Sequence, residues 1–190
     1  MKTFIKFFTL LTFIALAFIA SWFITERMKA PEDTLSSLYE ANIKPCMNYW
    51  TTDPEFKDTV SIQAQAMKLY DEGEYTLALE AFQRYEPTEK DEALYNLYVG
   101  ICYLKSDFAN LAIIHLTEAG DLFKKFEMIQ MSKWYLALAH LKAGQQKEAV
   151  SKLNQIVEVN AAQRYKADEI LKQIDVASNP IKSLLLVVAE

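Results

Sequence analysis

The sequence predicts an all-α protein in which one apolar N-terminal helix precedes three pairs of helices and a closing helix. Two observations lead to this prediction. Glycine and proline account for only 4 and 5 of the 190 residues, which argues against a turn-rich β-sandwich and excludes a collagen-like chain. Small and large apolar residues also recur at spacings of 34 and 37 within residues 66–153. Such a spacing indicates a repeated helical unit.

The composition limits the kinds of function. Two cysteines do not build a disulfide framework, and two histidines without partners at ligand spacing do not predict a metal site. The sequence contains no glycine-rich phosphate loop, Ser-His-Asp set or Cys-x-x-Cys pair. The net charge is −5, and the basic residues form no stripe. We therefore expect neither an enzyme nor a cofactor, and nucleic acid is not an expected partner.

The first element is an apolar run near the N-terminus. Residues 7–24 are 18 residues without a charge, which is long enough for a transmembrane helix. Trp22 lies near its far end, where aromatic rings favour the membrane interface. We predict an uncleaved anchor over residues 1–25. The alternative is a cleaved signal peptide that ends at Ala20. Cleavage there requires a small side chain two residues earlier, where this sequence has Phe18.

The orientation of this anchor rests on the positive-inside rule. Lys2, Lys6 and the terminal amine precede the run, whereas Arg27 and Lys29 follow it. The N-terminal side is too short to be a domain. The sequence therefore favours an N-terminus inside the cytoplasm and a body outside it.

Residues 26–58 are predicted to be a juxtamembrane linker, since they contain three of the five prolines. One short amphipathic turn is expected after Thr34 as N-cap, ended by Pro45. The pair Tyr49-Trp50 is too apolar for a free tether. We expect it to fold back on the first helices of the body.

Three columns of residues define the repeated unit of the body, residues 59–174. The first two columns hold small residues and the third holds large apolar residues. They are Ala66, Gly100 and Ala137; Ala78, Ala112 and Ala149; and Phe82, Leu116 and Leu153. Two helices whose axes lie about 10 Å apart need a small residue at their closest approach. We therefore predict that the first two columns mark the contacts within three helix pairs.

Glycine marks the turn inside two of the three units. Gly73 and Gly144 each follow a predicted helix, where glycine adopts the left-handed conformation without a Cβ penalty. The middle unit has Asp107 in a turn without glycine. A slightly different turn is therefore expected there.

These units resemble tetratricopeptide repeats. The matching stretches are AMKLYDEGEYTLALEAF (66–82), LYVGICYLKSDFANLAIIHLTEA (97–119) and WYLALAHLKAGQQKEAVSKL (134–153). Ala66 and Ala137 stand where the consensus has glycine, and only Pro87 lies near a unit's end. The resemblance covers about 59–160 and implies an α-solenoid, with RYKADEILKQI at 164–174 as the capping helix.

The layout also resembles membrane-anchored repeat proteins of bacteria that carry a segment of the type LYxxxxxPxxN. Here this segment runs from Leu38-Tyr39 through Pro45 to Asn48. The resemblance implies a scaffold anchored in a bacterial membrane. Together with the orientation favoured above, it leads us to expect a single-pass protein of the inner membrane with its repeat domain in the periplasm. It names no ligand.

In arrays of this kind, the resemblance implies, the first helix of each pair lines a concave groove. Seven apolar and aromatic residues are expected to line it: Met67, Tyr70, Tyr98, Ile101, Trp134, Leu138 and Leu141. The Lys/Asn/Arg clamp for a C-terminal carboxylate is absent from these positions. We therefore expect a protein or peptide partner, including another membrane protein, with Trp134 and Tyr98 as anchors.

The groove need not be open. Residues 128–141 are apolar on nearly every side, so the predicted helix there needs a cover. The cover is a partner peptide, the chain's own segment 35–56, the C-terminal tail 175–190, or a second copy of the chain. The tail contains the apolar run 184–188, which either docks on the array or binds something else. The sequence leaves the oligomeric state open.

Overall fold

The computed structural model describes residues 12, 14–19, 21–22, 30–52, 61–159 and 165–179. All regular structure in these ranges is helical, without a strand, which confirms the all-α prediction. From residue 30 onward, the described ranges contain nine helices with defined bounds: α1 (Glu32–Asn42), α2 (Tyr49–Thr52), α3 (Ile62–Asp71), α4 (Tyr75–Phe82), α5 (Glu92–Lys105), α6 (Ala109–Leu122), α7 (Phe126–Lys142), α8 (Gln146–Glu158) and α9 (Ala167–Ser178).

Most of the predicted anchor, residues 1–25, lies outside these ranges. Its described residues 14–19 and 21–22 are helical and exposed. Among the helices of the described ranges, none combines the length and the apolar character that crossing a bilayer requires. The apolar run 184–188 also lies outside the described residues.

The helices from α3 to α8 pack in chain order, each against the next. Three-residue connections join α3 to α4, α5 to α6 and α7 to α8, and connections this short favour antiparallel neighbours. All nine residues of the three sequence columns are buried. Gly100 of the first column lies at a close contact within its pair, because a Cβ there would lie 2.7 Å from Leu116 Cγ on α6.

The three turns inside the pairs share one backbone conformation. Gly73, Asp107 and Gly144 have φ angles of 82°, 67° and 70°. The expectation of a different middle turn is therefore wrong, because aspartate is one of the few residues with a Cβ that visits the left-handed region. The same hydrogen bond closes each turn, at 2.8–2.9 Å: Glu74 N to Leu69 O, Phe108 N to Tyr103 O, and Gln145 N to His140 O.

The Gly73→Ala variant is expected to lose about 1 kcal/mol of unfolding free energy, the cost of a Cβ in the left-handed region. A Cβ added at Gly73 meets no atom within 4 Å, so the cost is conformational and not steric. Urea unfolding followed by circular dichroism measures it. The matched variant Gly73→Asn should lose less, because asparagine tolerates this conformation. Equal losses for alanine and asparagine would contradict this explanation.

Two helices differ from their predicted bounds. Helix α1 begins at Glu32 after Pro31 and has 11 residues. The prediction of a single turn capped by Thr34 is therefore wrong. Glu32 and Asp33 provide negative charge in its first turn, which stabilises a helix N-terminus. The closing helix α9 begins at Ala167, because Lys166 adopts a left-handed φ of 54°. Helix α1 packs against α7 and α9, and α2 packs against α3.

Candidate functional site

The seven residues predicted to line a groove lie on α3, α5 and α7 and are all buried. None is more than 8% exposed, and Tyr98 is fully buried. We call these seven residues the inner face. Residues 30–50, which include α1 and the start of α2, supply contacts to several of these residues, and we call them the covering segment. The inner face is therefore not an open groove in this structure.

Tyrosine hydroxyls on α3, α5 and α7, the first helices of the three pairs, bind the main chain of the covering segment. Tyr135 on α7 donates to Lys44 O at 2.8 Å, and Tyr70 on α3 donates to Cys46 O at 3.1 Å. Tyr98 on α5 donates to Met47 O at 2.9 Å. Residues 43–48 are not helical, so their carbonyl groups are free to accept these bonds.

The hydroxyl of Tyr98 has a second role. It accepts the backbone N–H of Tyr49 at 2.7 Å while donating to Met47 O. Burial raises the pKa of Tyr98, Tyr70 and Tyr135 above the ordinary tyrosine value. The three hydroxyls therefore remain protonated donors at physiological pH.

Trp50 fills an aromatic box between the first two helix pairs. Its ring stacks on Phe82 and Tyr98 at centroid distances of 6.0 and 5.6 Å. Tyr85 meets the ring edge-on at 5.9 Å. Only 2% of Trp50 is exposed, so its ring adds both buried apolar area and aromatic pairing to the docking of the segment.

Polar contacts hold the covering segment at two further places. Near its end, Asn48 Nδ2 donates to Asp71 Oδ2 at 2.7 Å. Near α1, Lys142 Nζ lies 2.6 Å from the Asp107 carboxylate and 3.3 Å from that of Glu40. The hydrogen bond and the charge of Lys142 lower the pKa of Asp107.

The start of the segment lies at the turn between α7 and α8. The N–H of Ala30 donates to Gln146 Oε1 at 2.6 Å, and Gln146 Nε2 donates to the hydroxyl of Ser178 at 3.1 Å. Farther along, the Tyr39 hydroxyl donates to Leu104 O at 3.0 Å. The segment thus crosses the array from the third helix pair to the first.

The two aromatic residues expected to anchor a partner together have different surroundings. Tyr98 contacts the covering segment, and its ring lies 5.2 Å from that of Tyr70. The ring of Trp134 stacks on Tyr165, just before α9, at 5.4 Å. Tyr135, whose hydroxyl binds Lys44 O, is not among the seven residues predicted to line the groove. It lies 37 residues after Tyr98, which is the repeat spacing, so the sequence pattern could have indicated it.

The described residues contain no candidate metal site, and the contacts of both histidines are given by the structure. Within these ranges no group of three or more His, Cys, Asp or Glu side chains is placed to hold a metal ion. His115 Nδ1 lies 2.7 Å from Asn96 Oδ1, and His140 Nδ1 lies 2.7 Å from Gln145 Oε1. Burial lowers the pKa of both histidines. These contacts fit structural roles.

Both cysteines are free and buried, Cys46 in the covering segment and Cys102 on α5. Cys46 Sγ lies 3.2 Å from Met131 Sδ, and burial raises the pKa of the Cys46 thiol to about 12. Cys102 lies on α5 and is fully buried. Thiol reactivity therefore reports separately on the segment and on the array.

The thiol of Cys46 is expected to react faster with a thiol reagent at pH 8 than that of Cys102. Release of the segment uncovers Cys46, whereas Cys102 requires α5 to leave the core. Single-cysteine chains, Cys102→Ser and Cys46→Ser, allow each rate to be measured alone. The Cys46 rate should still be about 10²–10³-fold below that of an unfolded chain, given the cost of undocking a buried tryptophan. Equal rates for the two thiols would mean that the segment opens only on global unfolding.

No protein-family model, curated protein sequence or solved structure matches the chain. The contacts of the inner face are therefore the basis for a functional proposal.

Proposed function

We propose that the protein is a membrane-tethered scaffold of the tetratricopeptide type that binds an extended peptide on its inner face. In this structure the covering segment occupies that face. One observation carries the proposal: hydroxyls of Tyr70, Tyr98 and Tyr135 donate to the main-chain carbonyls of residues 44–47. Bonds to the main chain are available to any extended peptide, as in recognition by strand addition.

The repeat geometry supports the tetratricopeptide-like arrangement. Residues at spacings of 34 and 37 are buried alike, and the turns at Gly73, Asp107 and Gly144 share one backbone conformation. In a solenoid each unit contacts only its neighbours, and α3 to α8 pack in chain order. Three units with a closing helix would bury a continuous core while presenting one helix of each pair to a ligand.

The proposed tether is supported by the uncharged run 7–24, which ends shortly before the covering segment starts at Ala30. Such an anchor, with the body on the periplasmic side of a bacterial inner membrane, would bring the inner face close to the bilayer. Its partners would then be other membrane proteins or peptide segments near the membrane surface.

A second candidate is a structural subunit whose inner face stays covered permanently. Deep burial of the covering segment favours it, since Leu35, Tyr39 and Trp50 are each at most 3% exposed. In that case the segment is a part of the core and not an exchangeable ligand. The relative rates of the two thiols discriminate the candidates, because only an exchangeable segment opens without global unfolding.

Affinity capture by the full-length chain from detergent-solubilised host membranes tests the scaffold function. The Trp50→Ala chain, whose segment is weakened, should retain proteins that the parent chain does not. Trp134→Ala is the matched control, because it removes a second buried tryptophan whose ring stacks on Tyr165 and not on the segment. It should retain no more than the parent.

The captured proteins should depend on the tyrosine hydroxyls. Adding Tyr98→Phe and Tyr135→Phe to the Trp50→Ala chain removes two donors but keeps the rings, so retention should fall. If the parent, the Trp50→Ala chain and the tyrosine variants retain the same proteins, binding takes place on another surface and the proposal fails.

A further inference from the structure

We propose that the inner face selects extended peptides of other proteins by a five-residue pattern. The pattern is a small residue, an unrestricted residue, a hydrogen-bond donor, any residue except proline, and a bulky aromatic residue. Residues 46–50 of this chain, CMNYW, are its own copy of the pattern. This inference rests on the proposed function and deepens it, because it names the class of peptide that the scaffold takes.

The first two positions of the pattern differ in the space around their side chains. Cys46 is only 7% exposed, and its sulfur contacts Met131. A larger side chain there would overpack a filled site. The Met47 side chain contributes little to docking, since the residue is 64% exposed and its carbonyl group accepts hydrogen bonds from the Tyr98 hydroxyl and the Cys46 thiol. The second position therefore places no demand on the side chain.

The third and fourth positions are selected by hydrogen bonds. Asn48 donates to the carboxylate of Asp71, a group that only accepts when ionised. An acidic residue at this position would bring two like charges together. The backbone N–H of Tyr49 donates to the Tyr98 hydroxyl, and proline has no N–H to donate. Proline is therefore excluded from the fourth position.

The fifth position is the aromatic box of Phe82, Tyr85 and Tyr98. These three rings surround Trp50 at centroid distances of 5.6–6.0 Å. A bulky aromatic side chain fills the box, and buried aromatic anchors dominate the energetics of most interfaces. The aromatic residue should therefore contribute most of the affinity.

The covering segment competes with any such peptide because it belongs to the same chain. A short connection gives a tethered ligand an effective concentration in the millimolar range. A free peptide therefore binds with an apparent affinity reduced by the fraction of chains that are open. Weakening the segment at Trp50 should raise that fraction and the apparent affinity by about 10²–10³-fold.

Fluorescence anisotropy with a labelled peptide tests the pattern. The peptide carries the sequence of residues 43–52 with serine in place of Cys46, which keeps a small residue and prevents disulfide exchange. The full-length Trp50→Ala chain in detergent micelles should bind it at least 100-fold more tightly than the parent chain. Trp50→Leu, a milder change, should give an intermediate affinity and guards against a folding defect in the alanine variant.

Four variants of the peptide separate the positions. Changes equivalent to Trp50→Ala, Asn48→Asp and Tyr49→Pro should each weaken binding about tenfold or more, with the tryptophan change the most severe. The change equivalent to Met47→Lys should leave binding within about twofold, because this side chain is exposed.

Two results would overturn the pattern. One is equal binding of all four peptide variants; the scaffold function would then stand if protein capture still depends on the tyrosine hydroxyls. The other is absence of peptide binding by both tryptophan variants, whether the Cys46 thiol has become reactive or stays as slow as in the parent. A reactive Cys46 thiol would then mean that the face is open but does not bind the peptide. A slow Cys46 thiol would mean that Trp50 does not hold the segment in place.

Discussion

The Trp50→Ala variant is expected to lose about 3–5 kcal/mol from the free energy that docks the covering segment, since it removes a buried aromatic side chain. The ring is 2% exposed and touches Phe82, Tyr85 and Tyr98. Its loss leaves a cavity between the first two helix pairs and removes three aromatic contacts. Urea unfolding followed by circular dichroism, together with the Cys46 labelling rate, measures the effect.

Met47→Ala is the matched control for this prediction. Met47 lies three residues earlier in the same segment but is 64% exposed, so its truncation should change the free energy of unfolding by less than about 0.5 kcal/mol. The Cys46 labelling rate should rise strongly for Trp50→Ala and little for Met47→Ala. If the two variants have the same effect, Trp50 is not the anchor of the segment.

The Gly100→Ala variant is expected to lose about 2–3 kcal/mol of unfolding free energy, although alanine has the higher helix propensity. A Cβ at Gly100 would lie 2.7 Å from Leu116 Cγ and 3.2 Å from the Leu116 backbone nitrogen. The Leu116 side chain is fully buried, and moving a side chain in a closely packed interior disturbs its neighbours. Its backbone cannot yield without shifting α6, so α5 and α6 must separate.

Gly120→Ala should have the opposite sign. It also replaces a helical glycine, but the added Cβ would lie 3.6 Å from the nearest atom, in Ser132, which is an ordinary contact. The gain in helix propensity, up to about 1 kcal/mol, should therefore be retained. Thermal unfolding of the two variants beside the parent checks both. A loss at Gly120 as large as that at Gly100 would contradict the steric explanation.

The residues of the inner face were predictable, but their partners were not. The repeat spacing placed Met67, Ile101 and Leu138 in one register, and Tyr98 was expected on the same face. Nothing in that spacing shows that a hydroxyl binds Lys44 O or Met47 O. These acceptors are main-chain atoms. Every residue has a main-chain carbonyl group, so the sequence does not show which of them accepts a bond from a given side chain.

The repeat spacing also does not reveal that Tyr98 and Trp134 have different surroundings. Both were expected to anchor one ligand because both stand on the first helix of a pair. Trp134 belongs to the last pair, where the closing part of the chain is near, and its ring stacks on Tyr165. Tyr165 follows the last of the three pairs along the chain, and the spacing of the pairs carries no information on such a neighbour.

The sequence by itself determined the helices α3 to α8, the columns of small and large residues, and the two turns that contain glycine. These features depend on contacts between elements that are adjacent along the chain, which periodicity and glycine placement reveal directly. Glycine placement did not predict the middle turn, because Asp107 adopts there the left-handed conformation that glycine adopts in the other two units.

Only the tertiary structure decided that the inner face is covered and by which residues. The contacts responsible join residues far apart along the chain, such as Tyr135 with Lys44 and Ala30 with Gln146, separated by 91 and 116 positions. An apolar helix face requires burial but does not specify its cover, because the hydrophobic effect is not directional. The covering residues are instead specified by shape complementarity, by hydrogen bonds such as that of Asn48 with Asp71, and by the packing of Trp50 in its aromatic box.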